Sequence, residues 1–466
     1  MYQDQEAAAQ HTQTLEKQGV TLLNFWRLGA EEGAHVARCL DLLALPRKAK
    51  VVDLGSGTGA FARLAGEIRP DIQFTLVNDH AWQLEQSRSS AARVCADMAD
   101  TGLPSGDFDA VILAYALGHG AAANVLEEAH RLLRVGGKML LHDAHAQNIG
   151  VFNRHYENLH YCAYNLTLVQ FWAEVIGFDH DSFTPDSFLA PGDVVREYYA
   201  SGNLEGLTHG VTVFHKTDRP HKTKGRNVGL QFSGGKDSMA CLFMLEPFLD
   251  HITVYHLNTG DTIPETREVI DSLRPAIPHF VEVLSDVKTW RDTYGTPSDL
   301  VPTSAHNIGL MYGMAPIRIS NKFDCCLQNL MLPMHRRAMD DGVDLLIRGT
   351  KLFDTGKIPF EGFDENGVEV WLPVRDLTHD EVLALLDIVG APVNPVYEHF
   401  TGISAPECLG CTAWWDDNKG QYLKASHPEQ HAEYITHLRG IKQAMQTHIE
   451  QLDAELSSAG DTPWEE

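Results

Sequence analysis

Apolar and polar positions follow two periods along this chain, and they divide it into helices and strands before any motif is considered. Over residues 1–49 apolar side chains recur at helical spacing, at Leu22, Phe25 and Trp26 and again at Val36, Leu40 and Leu43, which predicts two or three helices. From Lys50 the pattern changes to short apolar runs closed by glycine or acidic residues. Lys50–Leu54, Gln73–Val77, a short run before Asp97, Phe108–Tyr115 and Lys138–His142 read as strands. Helical patterns fall between them, one from Ala60 and one over Leu126–Leu133, and Gly210–Lys216 reads as a closing strand. Strands alternating with helices predict a doubly wound α/β sheet.

Thr217–Arg226 is polar, charged and broken by proline and glycine, as a domain boundary should be. The alternation then restarts. An apolar lead-in at 227–230 meets a glycine turn and a helical pattern over Ser238–Phe248. Strands are expected at His251–Leu257, at Phe280–Leu284, from Leu345 and at Glu369–Pro373. A helix opened by a Thr378 cap, with Glu381 three residues on, should follow. His427–Leu452 reads as one or two helices, and the acidic tail after it is expected to be disordered. The pattern therefore predicts two doubly wound α/β domains, 1–219 and 227–425, joined by a linker at 220–226 and followed by a C-terminal segment, 426–466.

Composition narrows the function classes. A formal charge of −26 argues against a broad nucleic-acid-binding face, although Lys216, Arg219, Lys222, Lys224 and Arg226 cluster before the second domain and read as a solvated linker or a local basic groove. No run of about twenty apolar residues is present, and the polar N-terminus does not resemble a signal peptide. A cytoplasmic location without membrane contact is the resulting expectation. The eight cysteines do not suggest a disulfide framework in so large and acidic a chain. Adjacent Cys325 and Cys326 and the C-x-x-C pair Cys408 and Cys411 invite a metal reading instead, and four converging thiolates suit either iron–sulfur or tetrahedral zinc. Cys241 reads as buried core.

Two glycine turns carry the chemistry. Asp53 with Gly55, Gly57 and Gly59 closes the first strand, as a nucleotide-binding turn would. Asn78 and Asp79 end the second strand, where a polar side chain could hold ribose hydroxyls, and Asp97 after the third is positioned for an adenine edge. This order resembles a class I S-adenosylmethionine-dependent methyltransferase, with a Rossmann-like fold, over nearly all of residues 20–219. The resemblance implies S-adenosylmethionine as cofactor, bound by these residues, and puts His119, Tyr156, His160 and Tyr161 on segments that wall the substrate pocket. A nicotinamide-binding domain is the competing reading, disfavoured by the G-x-G-x-G spacing and the Gly-Gly turn before strand five. A domain that only senses cofactor or acts as a scaffold stays open.

The second turn, Ser233-Gly-Gly-Lys-Asp-Ser238, sits between a strand and a helix N-terminus, where backbone N–H groups and the helix dipole favour an anion. It looks like the PP-loop of the ATP pyrophosphatase superfamily. Together with Thr259-Gly260, Pro264-Glu-Thr266, Cys325-Cys326, Asn394-Pro-Val-Tyr397 and Cys408-Leu-Gly-Cys411, residues 227 to about 415 resemble the phosphoadenylyl-sulfate reductase family. The resemblance implies an adenine nucleotide α-hydrolase-like fold, ATP and Mg2+ as ligands, and catalytic roles for Lys236, Asp237, Arg348 and Lys351. Ser233, Gly234, Gly235, Ser238, Thr259 and Gly260 would line the nucleotide site, with Glu265 beside it. The cysteine spacing is close to that with which adenylyl-sulfate reductases hold a 4Fe–4S cluster, zinc being the alternative.

Two departures shape the expected reaction. Sulfonucleotide reductases lack the Lys-Asp of this loop, and they carry a nucleophilic cysteine near the C-terminus, whereas here no cysteine follows Cys411. The combination is similar to adenylating, sulfur-inserting enzymes such as the cluster-bearing pyrophosphatase of DNA phosphorothioation. A sulfur donor of the cysteine desulfurase type, or an electron donor, would then be a partner. Nucleic acid, a free nucleotide and a small metabolite all stay open as acceptor. A sulfonucleotide reductase fused to a methyltransferase, and a non-catalytic nucleotide-sensing subunit of a modification complex, are the rival readings.

Overall fold

The computed structural model describes residues 32–146, 162–185, 207–298, 319–352, 360–400, 407–415 and 418–460. They form two compact units, 1–224 with 387–390 and 225–386 with 391–466. Of the expected N-terminal helices, the described part is α1 (Glu32–Leu43); the rest lies outside the described residues. Val36, Leu40 and Leu43 of α1 are at most 5% exposed, and burial of about 1.5–3 kcal/mol per side chain holds the helix on the sheet.

The first unit alternates β1 (Lys50–Leu54), α2 (Ala60–Ile68), β2 (Gln73–Asn78), α3 (Ala81–Glu85), β3 (Ala92–Cys95), β4 (Phe108–Ala114), α4 (Ala122–Leu132) and β5 (Leu133–Ala146). It continues with α5 (Leu166–Ile176), β6 (Phe178–His180), β7 (Thr184–Pro185) and β8 (Leu207–Lys216). The sheet order is 3-2-1-4-5-8-6, with β7 paired to β8. β1 to β5 pair in parallel, while β8 runs antiparallel to β5 and β6. The parallel strands are buried on both faces, and so Val51, Val52, Ile112 and Leu140 read as unbroken apolar runs. α5 starts where Asn165 accepts the N–H groups of Thr167 and Leu168, and it stops at Gly177 with φ +118°.

The expected boundaries shift in three places. The fourth helix starts at Ala122, four residues before the apolar pattern, and Leu133 opens β5 instead of ending the helix. The Arg-Val-Gly-Gly segment therefore belongs to a long strand with a register shift opposite Phe108 and Ala110. Tyr115 is not strand; its φ of +51° ends β4. The basic cluster is neither a solvated linker nor an open groove. The Lys216 ammonium donates to the carbonyls of His130 and Leu133, Lys224 pairs with Glu127, and Arg226 pairs with Asp344 and Glu369.

The second unit has a six-stranded sheet, ordered 11-10-9-14-16-15. Its strands are β9 (Val228–Gln231), β10 (Ile252–Asn258), β11 (Phe280–Leu284), β14 (Leu345–Ile347), β15 (Gly362–Phe363) and β16 (Glu369–Trp371), while β12 (Thr296–Ser298) and β13 (Ile319–Asn321) pair separately. The helices are α6 (Lys236–Met244), α7 (Pro264–Leu273), α8 (Val287–Tyr294), α9 (Lys322–Cys326), α10 (Leu332–Asp340), α11 (His379–Ile388), α12 (Lys419–Ser426) and α13 (Pro428–Ser458). α6 begins two residues earlier than the pattern suggests and gives way at Glu246 to a tighter 3-10 turn, as Pro247 forbids its continuation. The Thr378 cap is present: the Glu381 N–H donates to its hydroxyl at 3.3 Å, and Glu381 returns a bond to the Thr378 N–H at 2.7 Å.

The turn after β14 packs directly on the start of α6. A Cβ at Gly349 would lie 2.6 Å from the Asp237 carbonyl carbon and the Ser238 nitrogen, atoms that cannot move aside. Gly349→Ala should therefore destabilise the protein by roughly 1–3 kcal/mol, measured as a lowered Tm, whereas Gly367→Ala, where the Cβ would meet nothing within 4 Å, should cost less despite its positive φ.

Candidate functional site

Strand order in the first sheet reverses at β1, which has β2 on one side and β4 on the other, and ligands of such sheets bind beyond the strand ends at that switch point. The Gly55–Gly59 turn lies there. Its three glycines have φ of +69°, +54° and +75°, and a Cβ at Gly55 would come within 2.6 Å of the Ala116 Cβ. Asn78 Oδ1 accepts the Gly57 N–H at 3.2 Å while its amide donates to Gln83 at 2.8 Å. Asn78 thus braces the loop from β2. Asp79 is half-buried and bonded to the His80 ring. Asp97 accepts the Ala99 N–H at 2.8 Å and forms a tight turn after β3.

Asp53 is 2% exposed, and its Oδ2 has no hydrogen-bond partner; the buried Ser56 hydroxyl has none either. Burial raises the Asp53 carboxyl from 3.8 to about 7. Two unsatisfied buried oxygens beside a glycine turn fit a ligand that brings its own donors.

A cluster of rings that the sequence pattern did not flag lies at the same sheet edge. Tyr115 directly follows β4, His142 and His209 come from β5 and β8, and His35 packs on His142 from α1. Their signal in the sequence is His142-Asp-Ala-His145 at the end of an apolar strand, where continued alternation of apolar residues would be ordinary. His119 falls in a short 3-10 turn, Leu117–His119. Tyr156, His160 and Tyr161 lie outside the described residues.

In the second unit the Ser233–Ser238 loop follows β9, again at a switch point, between β10 and β14. Gly234 has φ +81°, and the Ser233 and Ser238 hydroxyls meet at 3.2 Å. Asn394 holds the loop through the Gly234 carbonyl and Thr266, and the Tyr397 hydroxyl accepts the Lys236 N–H at 3.2 Å. Lys236 and Lys351 are both buried and share one carboxylate, Asp237. Arg348, half-buried in the same turn as Lys351, has no carboxylate partner among the described residues, and burial pulls its guanidinium below its ordinary value. With Arg348 these two lysines place three cations near the loop. Thr259 and Gly260 follow β10, and Glu265, in the first turn of α7, is held by Tyr422 at 2.8 Å.

The cysteine motifs come together only in part. Cys325, Cys408 and Cys411 share one buried cluster with Val287 and Ala413, and Cys326 is half-buried beside Cys325. Among the described residues no group of three or more donors is arranged to hold a metal ion. Burial pushes the Cys326 and Cys408 thiols up to about 12. Two cations missed by the sequence reading sit with them. The Arg291 guanidinium, bonded to Asp261 at 2.6 Å, is itself raised by Cys408 and Asp261 against the effect of burial, and its Nε lacks a partner. The Lys419 ammonium donates to the Cys408 and Cys411 carbonyls at 2.7 and 2.8 Å, with burial lowering it to about 8. The donor set and its compensating cations fit an anionic thiolate centre chemically. Cys241 is fully buried, and burial raises its thiol.

Residues 52–141 match the family model of a methyltransferase domain. With the observed sheet order, this supports a Rossmann-like methyltransferase fold in the first unit. A search of curated protein sequences gives no match. Among solved structures, the chain is similar to geranyl diphosphate C-methyltransferase from Streptomyces coelicolor A3(2), at 16% identity, covering 40% of this chain and 77% of that one with a TM-score of 0.34. It is also similar to the [4+2]-cyclase SpnF at 14% identity, covering 40% and 82% with a TM-score of 0.35. Phosphoethanolamine N-methyltransferase 2 from Haemonchus contortus matches at 17% identity, covering 40% and 53% with a TM-score of 0.34.

The raised Asp53 carboxyl gives a prediction with a definite sign. The folded chain keeps this proton up to about pH 7, whereas an unfolded carboxyl releases it near 3.8, so rising pH between those values works against folding. Asp53→Asn should match the parent near pH 4 and exceed its Tm above pH 7 by roughly 5 °C. The same change should weaken S-adenosylhomocysteine binding about tenfold. Calorimetry across pH checks both.

Proposed function

We propose that the chain is a bifunctional enzyme, an S-adenosylmethionine-dependent methyltransferase followed by a PP-loop domain that adenylates a substrate with ATP, coupled to sulfur insertion in a nucleotide or nucleic acid. The methyltransferase half is supported by the family match at 52–141 and by the unsatisfied oxygens of Asp53 and Ser56 beside the glycine turn. Asp79 and Asp97 would meet the ribose and the adenine edge.

One observation carries the adenylating half: Arg348, without a carboxylate partner among the described residues, and two buried lysines gather at a glycine loop opening a helix. A triphosphate would meet these cations with charge-assisted hydrogen bonds. In the reaction, backbone N–H groups of the loop and Lys236 stabilise charge on the departing pyrophosphate, while Arg348 and Lys351 hold the phosphate chain as the acceptor attacks the α-phosphorus. Asp237 keeps both lysines in place, and Mg2+ would neutralise phosphate oxygens. Cys325, Cys326, Cys408 and Cys411 would hold an iron–sulfur cluster, which when bound supplies sulfur or electron-transfer chemistry. Arg291 and Lys419 would balance its negative charge.

Arg348→Ala separates binding from folding. Removing an uncompensated, half-buried cation should leave the Tm unchanged or raised, while affinity for a non-hydrolysable ATP analogue with Mg2+ falls about 10- to 100-fold. Unchanged nucleotide affinity would overturn the assignment. Tighter binding of phosphoadenylyl sulfate than of the ATP analogue would favour a sulfonucleotide reductase. For the cysteines, anaerobically prepared Cys408→Ser should contain far less iron than the parent; equal iron content would remove the cluster.

A further inference from the structure

The connection from β10 to α7 touches both candidate centres of the second unit. Its two ends lie against the glycine loop. β9 and β10 run in parallel with Gln231 opposite Tyr255, so the chain leaves both strands side by side, and the Phe232 carbonyl accepts the His256 Nδ1–H at 3.1 Å. α7 closes on the loop from the other end. A Cβ at Gly234 would come within 2.9 Å of Ile270 and 3.1 Å of Thr266, and the Asn394 amide donates to both the Gly234 carbonyl and the Thr266 hydroxyl, at 3.4 and 2.9 Å.

The middle of the same connection holds the cysteine loop at 408–411. Thr262 and Cys408 form an antiparallel bridge, and the Cys408 thiol donates to the Thr259 hydroxyl at 3.7 Å. The Asp261 carbonyl accepts the Leu409 N–H at 2.8 Å. Asp261 Oδ2 accepts both the Gly410 N–H at 3.0 Å and the Arg291 guanidinium at 2.6 Å. These side-chain bonds are charge-assisted, roughly twice as strong as neutral ones. The approach is close: a Cβ at Gly410 would stand 2.8 Å from Arg291 and 3.0 Å from Asp261. The connection is itself braced. The Asn258 side chain accepts the Gly260 N–H, the Thr259 hydroxyl accepts the Asp261 N–H, and the Thr259 carbonyl accepts the N–H of Val287, which opens the helix carrying Arg291. A short braced segment with contacts on both sides passes a displacement along instead of absorbing it.

We infer that Asp261 is a positioning residue that ties the order of the cysteine loop to occupancy of the glycine loop. Nucleotide held between Ser233–Ser238 and Thr259–Gly260 fixes the connection, and Asp261 carries that order to Cys408 and Cys411. The inference rests on the nucleotide reading of the loop given above. A second tether, from Lys419 to the Cys408 and Cys411 carbonyls, comes from α12 and not from the connection. It holds the same cysteines without belonging to the coupled path.

The test uses the full-length protein, purified anaerobically, with iodoacetamide, Mg2+ and a non-hydrolysable ATP analogue at saturation. Alkylation is read cysteine by cysteine by peptide mass spectrometry. In the parent the analogue should slow alkylation of Cys408 and Cys411 about fivefold or more, while Cys95, exposed in the first unit, reacts at one rate throughout. Asp261→Asn should speed alkylation of both cysteines and remove the effect of the analogue while still binding it. Gly410→Ala, whose methyl group would displace Asp261 and Arg291, should act in the same way. Lys419→Met should speed alkylation but keep the effect of the analogue, which separates coupling from simple loosening. Failure of the parent to bind the analogue would sink the nucleotide reading itself. With binding intact, equal rates with and without the analogue in the parent would overturn the inference, and that comparison needs no variant. Asp261→Asn that keeps the effect would do the same, and so would Asp261→Asn that no longer binds the analogue, since the residue would then belong to the nucleotide site. Loss of the effect in Lys419→Met would assign the response to loosening and remove the special role of Asp261.

Discussion

Two buried lysine ammoniums in the second unit pair with the same carboxylate, Asp237, and the arrangement of the Ser233–Ser238 loop depends on that sharing. Burying an ammonium costs several kcal/mol unless it is paired, and Asp237 supplies a pair to both Lys236 and Lys351. The close packing at Gly349 fixes the partners: it lays the turn carrying Arg348 and Lys351 against the backbone of Asp237 and Ser238, so that the cations arrive at the loop as a consequence of sheet order.

The first unit poses the same problem with the opposite sign. Asp53 is buried without a partner for one oxygen, and the chain meets the cost by holding the proton. A ligand donor would release it. In both units the unsatisfied group comes from or follows a central parallel strand, next to a glycine turn that keeps side chains out of the way. The fold therefore creates a dry, rigid place, and a few residues there are left short of partners.

Much of this was legible in the sequence because it is local. Strand and helix periods, the glycine turns at 55–59 and 233–238 and the Thr378 cap are all encoded within a few residues. What escaped is long-range. Asn78, expected at a ribose, also braces Gly57, a contact set by the β1–β2 register. Arg291 and Asp261 reach the cysteine region from segments far from Cys408 in sequence, and a lone arginine in a helix gives no warning of such a role. The imidazole pair of His35 and His142 joins a helix to a strand across 107 positions. The basic cluster misled for the related reason that its neutralising carboxylates, Glu127, Asp344 and Glu369, are distant in the chain.

The strongly acidic composition acquires a clearer meaning once those pairs are in place. Cations such as Arg219, Lys224 and Arg226 are matched by carboxylates at the surface, where such pairs contribute little stability and leave little free positive field. The cations at positions 236, 348 and 351, by contrast, are buried or half-buried at the loop. A phosphate chain entering there would trade water for several charge-assisted contacts in a low-dielectric setting, whereas an extended polyanion would meet the negative surface first. On the function proposed above, this charge distribution would favour a small nucleotide at the loop. A longer nucleic acid, if it is the acceptor, would have to present a single end or an unpaired base to the site.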